Sequence, residues 1–205
     1  MLALGMLDPS LSRPLLALDL MDTVVVDPFR RVMREASAGG PELESVMNPE
    51  AWVDFELGLV DETTYLRRMI RSDTGQISSE AIRDAILHNY RFVLGMEELL
   101  GELRGAGVRL WGLSNYPPWA RTIQRELRLD RFFEGYTISY QTGARKPDAA
   151  AFEALCAQAG VPSGGCLLVD DEQANVEGAR QVGMPAILFQ GADHLRGELK
   201  RLGLL

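Results

Sequence analysis

The sequence predicts an α/β fold: a doubly wound parallel sheet with an inserted small helical cap. Three observations predict it. Short, near-continuous apolar runs recur along the chain, most ending in a polar or acidic pair. Helical patterns separate them. Between the first run and the next, residues 29–93 break the alternation and read as helices with no good strand. Continuous apolar strands mark a sheet buried on both faces, and strand–helix alternation winds such a sheet.

The elements follow in order. Leu15-Leu16-Ala17-Leu18 is a buried strand ending at Asp19, and Val24-Val25-Val26 comes soon after it. Within the insertion, Glu50 to Leu57, Asp61 to Ile70 and Ser79 to Val93 read as helices. Gly39-Gly40-Pro41 and Asn48-Pro49 punctuate them. This places a core at 1–26 and 95–205 and a lid-like cap at 27–94. Met96 to Arg104 is a helix with Leu99, Leu100 and Leu103 on one face. Val108 to Leu113 is the next strand, followed by Ser114-Asn115. Trp119 to Leu129 is helical, with Ile123 and Leu127 spaced for one side. Tyr136 to Ser139 is a weaker strand. The helix Asp148 to Ala159 opens at Pro147, a residue suited to a first turn. Cys166 to Val169 leads into Asp170-Asp171. Gln173 to Val182 stops at Gly183, a C-capping residue. Ala186 to Phe189 is the last strand. Ligands of such sheets bind beyond the C-terminal strand ends, where these polar pairs fall.

Composition narrows the function classes. A length of 205 residues suits one α/β domain with a small insertion. The formal charge of -8, with no run of Lys and Arg, argues against a nucleic-acid partner. Cys156 and Cys166 form no CxxC pair or Cys/His cluster, so zinc is not expected and a reducing compartment is. The opening MLALGMLDPSLSRP lacks a basic n-region, and Asp8 and Pro9 interrupt its apolar stretch, so it does not read as a signal peptide. No segment approaches the ~18 apolar residues of a membrane span. The expectation is a cytoplasmic protein with no membrane partner; its oligomeric state is left open.

The strand ends bring together Asp19 and Asp22, Ser114 and Asn115, Lys146, and Asp170 and Asp171. Singly, each has a bland reading: an Asp after a strand forms turns and caps helices, and a lone Lys is usually solvated. Together they make a pocket of carboxylates with one ammonium. Clustered carboxylates repel unless a cation sits among them. Hard oxygen ligands suit magnesium, which also takes substrate phosphate. A lysine and a hydroxyl can hold the remaining phosphate oxygens, and a carboxylate can attack phosphorus.

These motifs resemble the haloacid dehalogenase superfamily from about Pro14 onward. Leu16-Ala17-Leu18-Asp19-Leu20-Met21-Asp22-Thr23 resembles its first motif, DxDxT after a strand. Leu113-Ser114-Asn115 resembles the second, Arg145-Lys146-Pro147-Asp148 the third, and Leu168-Val169-Asp170-Asp171 the fourth. Asn175-Val176-Glu177-Gly178-Ala179-Arg180 with Gly183-Met184 matches a common continuation, and the insertion is similar to the family's helical cap. The resemblance implies a magnesium-dependent phosphohydrolase acting on a small phosphorylated metabolite. It implies Asp19 as nucleophile and metal ligand, and Ser114 and Asn115 as phosphoryl-binding. Lys146 would stabilise the nucleophile and the phosphoryl charge. Asp170 and Asp171 would hold the metal, with the backbone carbonyl of Met21.

One position departs from the pattern. The family's general acid and base stands two residues after the nucleophile, and here that residue is Met21. A thioether cannot donate a proton, and such catalysis is worth ~10²–10⁴-fold. Either Asp22 swings in, or a water or substrate group substitutes, or turnover is slow. Asp19 to Thr23 with Asp27-Pro28-Phe29, Trp52 through Leu59-Val60-Asp61-Glu62, and Asn115-Tyr116-Pro117 with Trp119 resemble the plant chloroplast flavin mononucleotide hydrolase group. That implies flavin mononucleotide as a substrate. Trp52, Phe55, Tyr65, Tyr116 and Trp119 can stack on a flat ring. Trp119 is expected to face the pocket, while Trp52 and Phe55 fit cap core by spacing. His88 and His194 are assigned no role. Two other readings stand: a metal-free haloacid dehalogenase, whose relatives usually carry an aromatic residue at the Met21 position, and a catalytically weak binding or regulatory protein.

Overall fold

The structure is a computed structural model describing residues 14–36, 48–69 and 78–205. The readings of the N-terminal segment to Arg13 and of Gly39-Gly40-Pro41 lie outside these residues. The five main strands are β1 (Leu15–Leu18), β4 (Arg109–Ser114), β5 (Gly135–Ile138), β6 (Cys166–Asp170) and β7 (Ala186–Leu188). All are parallel, in the order β5-β4-β1-β6-β7. β1 is central, and Leu18 stands beside Gly112 of β4 and Val169 of β6. That register lines up the strand ends carrying Asp19, Ser114 and Asp170.

The alternation of side chains along each strand builds two cores. Leu16, Leu18, Leu110, Leu167 and Val169 face one side. There they meet Leu99, Leu100 and Leu103 of α5 (Met96–Gly105) and Leu195 and Leu199 of α10 (Ala192–Arg201). Leu15, Ala17, Leu113, Cys166 and Leu168 face the other. They meet Phe152 and Leu155 of α8 (Ala149–Ala159) and Val176 and Ala179 of α9 (Gln173–Gln181). A fully buried leucine stabilises by about 1.5–3 kcal/mol, so both faces resist a register slip. Between the strands, α6 (Ala120–Glu126) follows β4 and α7 (Ser139–Thr142) follows β5.

The insertion holds α1 (Phe29–Ala36), α2 (Pro49–Glu56), α3 (Glu62–Arg68) and α4 (Ser79–Leu87). Side chains cap the starts of α2, α3 and α4. Asn48 accepts from the Ala51 N–H, Asp61 from that of Thr64, and Ser78 from that of Ala81. One expectation is corrected. The helix read from Ser79 to Val93 stops at Leu87, and Arg91–Phe92 forms a strand, β3, antiparallel to β2 (Val25–Val26). Val93 also donates to the Val24 carbonyl at 2.9 Å. Without this partner the backbone polar groups of β2 would go unpaired, a cost that outweighs the weak helical pattern of residues 88–93. Among the described residues no helix is long and apolar enough to cross a membrane.

Helix α9 lies against the segment bearing Lys146. A Cβ added at Gly178 would stand 2.5 Å from the Pro147 carbonyl oxygen and 2.9 Å from its Cβ. Gly178→Ala is therefore expected to lower stability by about 1–3 kcal/mol through overpacking, measured by urea unfolding. Unchanged stability would show that the Pro147 backbone yields freely.

Candidate active site

The end of β1 sets the first residue. The Asp19 N–H donates to the Val169 carbonyl at 2.9 Å, extending the β1–β6 ladder one step beyond Leu18. The Lys146 ammonium bridges two carboxylates, donating to Asp19 Oδ1 at 2.6 Å and Asp170 Oδ2 at 2.5 Å. All three side chains are buried. Burial pushes the Asp19 carboxyl up, to about 8; Lys146 pulls it down, and Asp170 and Asp171 add like-charge repulsion. For Lys146, burial favours the neutral amine, but Asp19 and Asp170 outweigh it and hold the ammonium above its ordinary range.

Asn115 has a different task from the one expected. Its Oδ1 accepts from the Lys146 N–H and its Nδ2 donates to the Lys146 carbonyl, both at 2.8 Å. The side chain thus clamps the lysine backbone, and any contact of Asn115 with a phosphoryl group falls to its own N–H. Ser114, on the last residue of β4, fits its expected place. Its Oγ is buried with no hydrogen-bond partner within the protein, and a buried hydroxyl of that kind calls for one.

The carboxylate of Asp170, expected to hold the metal, is engaged within the protein. Three donors occupy its carboxylate: Lys146 on Oδ2, and the Glu172 N–H and Asn175 Nδ2 on Oδ1, each of the latter at 2.9 Å. It holds the lysine and starts α9. Asp171 is half-exposed, and Thr23 Oγ1 lies 3.4 Å from its Oδ1. Burial first, then Asp170, raises the Asp171 carboxyl to about 6. Thr23 and Asn175 were given no task from the sequence. Asn175 stood in the sequence only as part of the continuation of the fourth motif, a polar residue in the first turn of the following helix.

The substitute acid is not in place. Asp22 has φ 53, and its N–H closes a turn onto the Val25 carbonyl at 2.6 Å. Its exposed side chain accepts from the Asp27 N–H at 2.9 Å, so it stabilises the turn instead of meeting Asp19. Met21 packs half-buried on the core, bridged to Val25. The tryptophans are placed differently from one another. Trp119 does not face an open pocket: it is 4% exposed, packs edge-on to Phe55 and Tyr65, and donates to Glu62 Oε1 at 2.6 Å. Trp52 is half-buried among Phe29, Tyr65, Tyr116 and Trp119, with centroids 5.7–6.0 Å away.

The residues present fit magnesium. Among the described residues no three His, Cys, Asp or Glu side chains converge as a ready-made cage. Magnesium does not require one, since it binds through one or two carboxylates together with waters and substrate oxygens. Asp19 and Asp171 with the Met21 carbonyl would supply that kind of donor set, while the Asp170 carboxylate already accepts three hydrogen bonds.

Comparison with known proteins agrees with the geometry. The chain is 32% identical over 193 residues to flavin mononucleotide hydrolase 1 of Arabidopsis thaliana, a chloroplast protein; the match covers 93% of this chain and 78% of the relative. It is 30% identical over 151 residues to a sesquiterpene phosphatase of Aspergillus oryzae, covering 70% and 74% respectively. A Bacteroides thetaiotaomicron enzyme of the same superfamily, solved with magnesium and inorganic phosphate, superposes with a TM-score of 0.72 at 19% identity, over 90% of this chain and 99% of that one. The haloacid dehalogenase-like hydrolase profile matches residues 29–183. With its parallel sheet and the lysine-bridged carboxylates at the sheet's C-terminal edge, the chain belongs to the haloacid dehalogenase-like hydrolase family.

Proposed function

We propose that this protein is a magnesium-dependent phosphohydrolase cleaving a small phosphomonoester through an aspartyl-phosphate on Asp19. The observation that carries the reading is the buried Lys146 ammonium shared between Asp19 and Asp170 beside the unpartnered Ser114 hydroxyl. An oxygen of the Asp19 carboxylate attacks phosphorus as the ester P–O bond breaks, and the electron pair leaves with the alcohol. Water then attacks the phosphorus of the acyl phosphate, releasing inorganic phosphate and restoring the carboxylate. Lys146 orients Asp19 and balances charge gathered on the phosphoryl oxygens, and Ser114 Oγ donates to one of them. Magnesium held by Asp19, Asp171 and the Met21 carbonyl would supply charge neutralisation at the phosphoryl group.

The named relatives support this substrate class, and the flavin mononucleotide hydrolase relative makes flavin mononucleotide the first compound to test. Half-buried Trp52, Phe29 and Tyr90 are the aromatic surface that a flat ring can meet. We read residues 27–94 as a cap over this site, and unpaired Cys156 and Cys166 fit a reducing compartment such as the cytoplasm.

Three outcomes follow. Phosphate release from a phosphomonoester panel including flavin mononucleotide and p-nitrophenyl phosphate should require magnesium and vanish with chelator. Asp19→Asn should abolish it for every compound; retained turnover would remove the mechanism. Asp22→Asn keeps an oxygen for the Asp27 N–H and tolerates a positive φ. It should therefore change kcat far less than the ~10²–10⁴-fold loss of a general acid, and equally for alkyl and nitrophenyl esters. A large loss confined to alkyl esters would make Asp22 the acid after all.

A further inference from the structure

Glu56 is the last residue of α2, and its carboxylate is buried. Two features make it an unfavourable place for a negative charge. The C-terminal end of a helix already carries partial negative charge, and burial pushes the Glu56 carboxyl upward. Its counter-charge comes from outside the insertion: Arg145 Nη2 stands 2.9 Å from Glu56 Oε1. The contact is a charge pairing: Glu56 Oε1 accepts no hydrogen bond among the described residues. Arg145 precedes Lys146 in the chain, so the partner of this carboxylate adjoins the lysine that holds Asp19 and Asp170.

The surrounding turn is docked as closely. The Glu56 carbonyl accepts from Ser139 Oγ at 2.5 Å, and Ser139 Oγ accepts from the Tyr116 N–H at 3.0 Å. Gly58 has φ 71, and a Cβ there would lie 2.5 Å from the Tyr140 carbonyl oxygen. Glu62 accepts from Trp119 Nε1 at 2.6 Å. Residues 56–62 therefore press on the segments that follow β4 and β5 and on the lysine loop. Backbone hydrogen bonding and close packing already hold the turn. The buried charge is not needed for that attachment, and removing one member of such a pair leaves the other uncompensated.

We propose that Glu56 is a positioning residue for the catalytic lysine: through Arg145 it sets where Lys146 holds its ammonium, aligning it on Asp19 while residues 56–62 are docked. This rests on the phosphohydrolase reading, because it gives Lys146 its catalytic role. It also makes closure of the insertion part of assembling the site, in the manner of other lids.

Lys146 and Lys200 are the chain's two lysines, which gives a readout independent of turnover. In protein labelled with ¹⁵N-lysine, the buried Lys146 ammonium should give its own resonance, assigned by its loss in Lys146→Arg. Glu56→Gln should shift or broaden it. With the best panel substrate, Glu56→Gln should lower kcat by about ten- to hundredfold with KM nearly unchanged, as misplacement of a catalytic group does. Arg145→Gln should match it, and the double variant should be no worse than either single one, because both act on one path. Glu56→Asp should recover part of the loss. An unmoved Lys146 resonance with unchanged kcat in folded Glu56→Gln would overturn the proposal, even if its melting temperature falls. Should Glu56→Gln fail to fold, Arg145→Gln gives the same two readouts. If the wild type cleaves nothing in the panel, the phosphohydrolase reading fails, and the ammonium resonance alone decides whether Glu56 positions Lys146.

Discussion

The site depends on one interaction, an ammonium held between two carboxylates largely withdrawn from water. Lys146, Asp19 and Asp170 are all buried, and taking charges out of water costs several kcal/mol per ion unless the geometry compensates. The neighbouring structure supplies that geometry. Asn115 fixes the lysine backbone from both sides, Asn175 and the Glu172 N–H hold Asp170, and the β1–β6 ladder holds Asp19. Gly178 lets α9 approach the same loop. Each of these is a constraint on where the lysine points.

Much of this was legible in the sequence, for identifiable reasons. The strands around Leu16, Leu110 and Leu168 announce themselves because a sheet covered on both faces needs unbroken apolar runs. Asp19, Ser114, Lys146 and Asp171 follow, since each adjoins a run or a motif at a strand end. What was not legible depends on partners distant in the chain. Nothing local shows that Asn115 would clamp a residue 31 positions away. Nor does it show that Arg91–Phe92 would leave a helical pattern to pair with Val25–Val26. Asp22 sits beside the nucleophile in sequence, but a left-handed backbone conformation turns its carboxylate to Asp27. Trp119 adjoins the second motif, yet its indole N–H is better satisfied by Glu62 across the seam.

Met21 gains meaning from these placements. The position after Leu20 contributes a backbone carbonyl and a packed thioether, and its neighbour Asp22 is committed to a turn. Lys146 and Ser114 can stabilise charge on the phosphoryl group, but neither Met21 nor Asp22 stands ready to protonate the departing alkoxide. On the proposed mechanism the chemistry is therefore set by charge stabilisation, with leaving-group protonation left to solvent or to the substrate itself.

The central position of β1 has a consequence for how the chain reaches this state. Leu15 pairs with Arg109 on one side and Cys166 on the other. The strand thus precedes both of its partners in the chain and waits for them, the second lying far downstream. Contacts of such long sequence separation slow folding, and an apolar strand with an open edge invites wrong pairing meanwhile. The arrangement that buries these charges between neighbouring strand ends thus leaves an edge of β1 unpaired until β6 arrives.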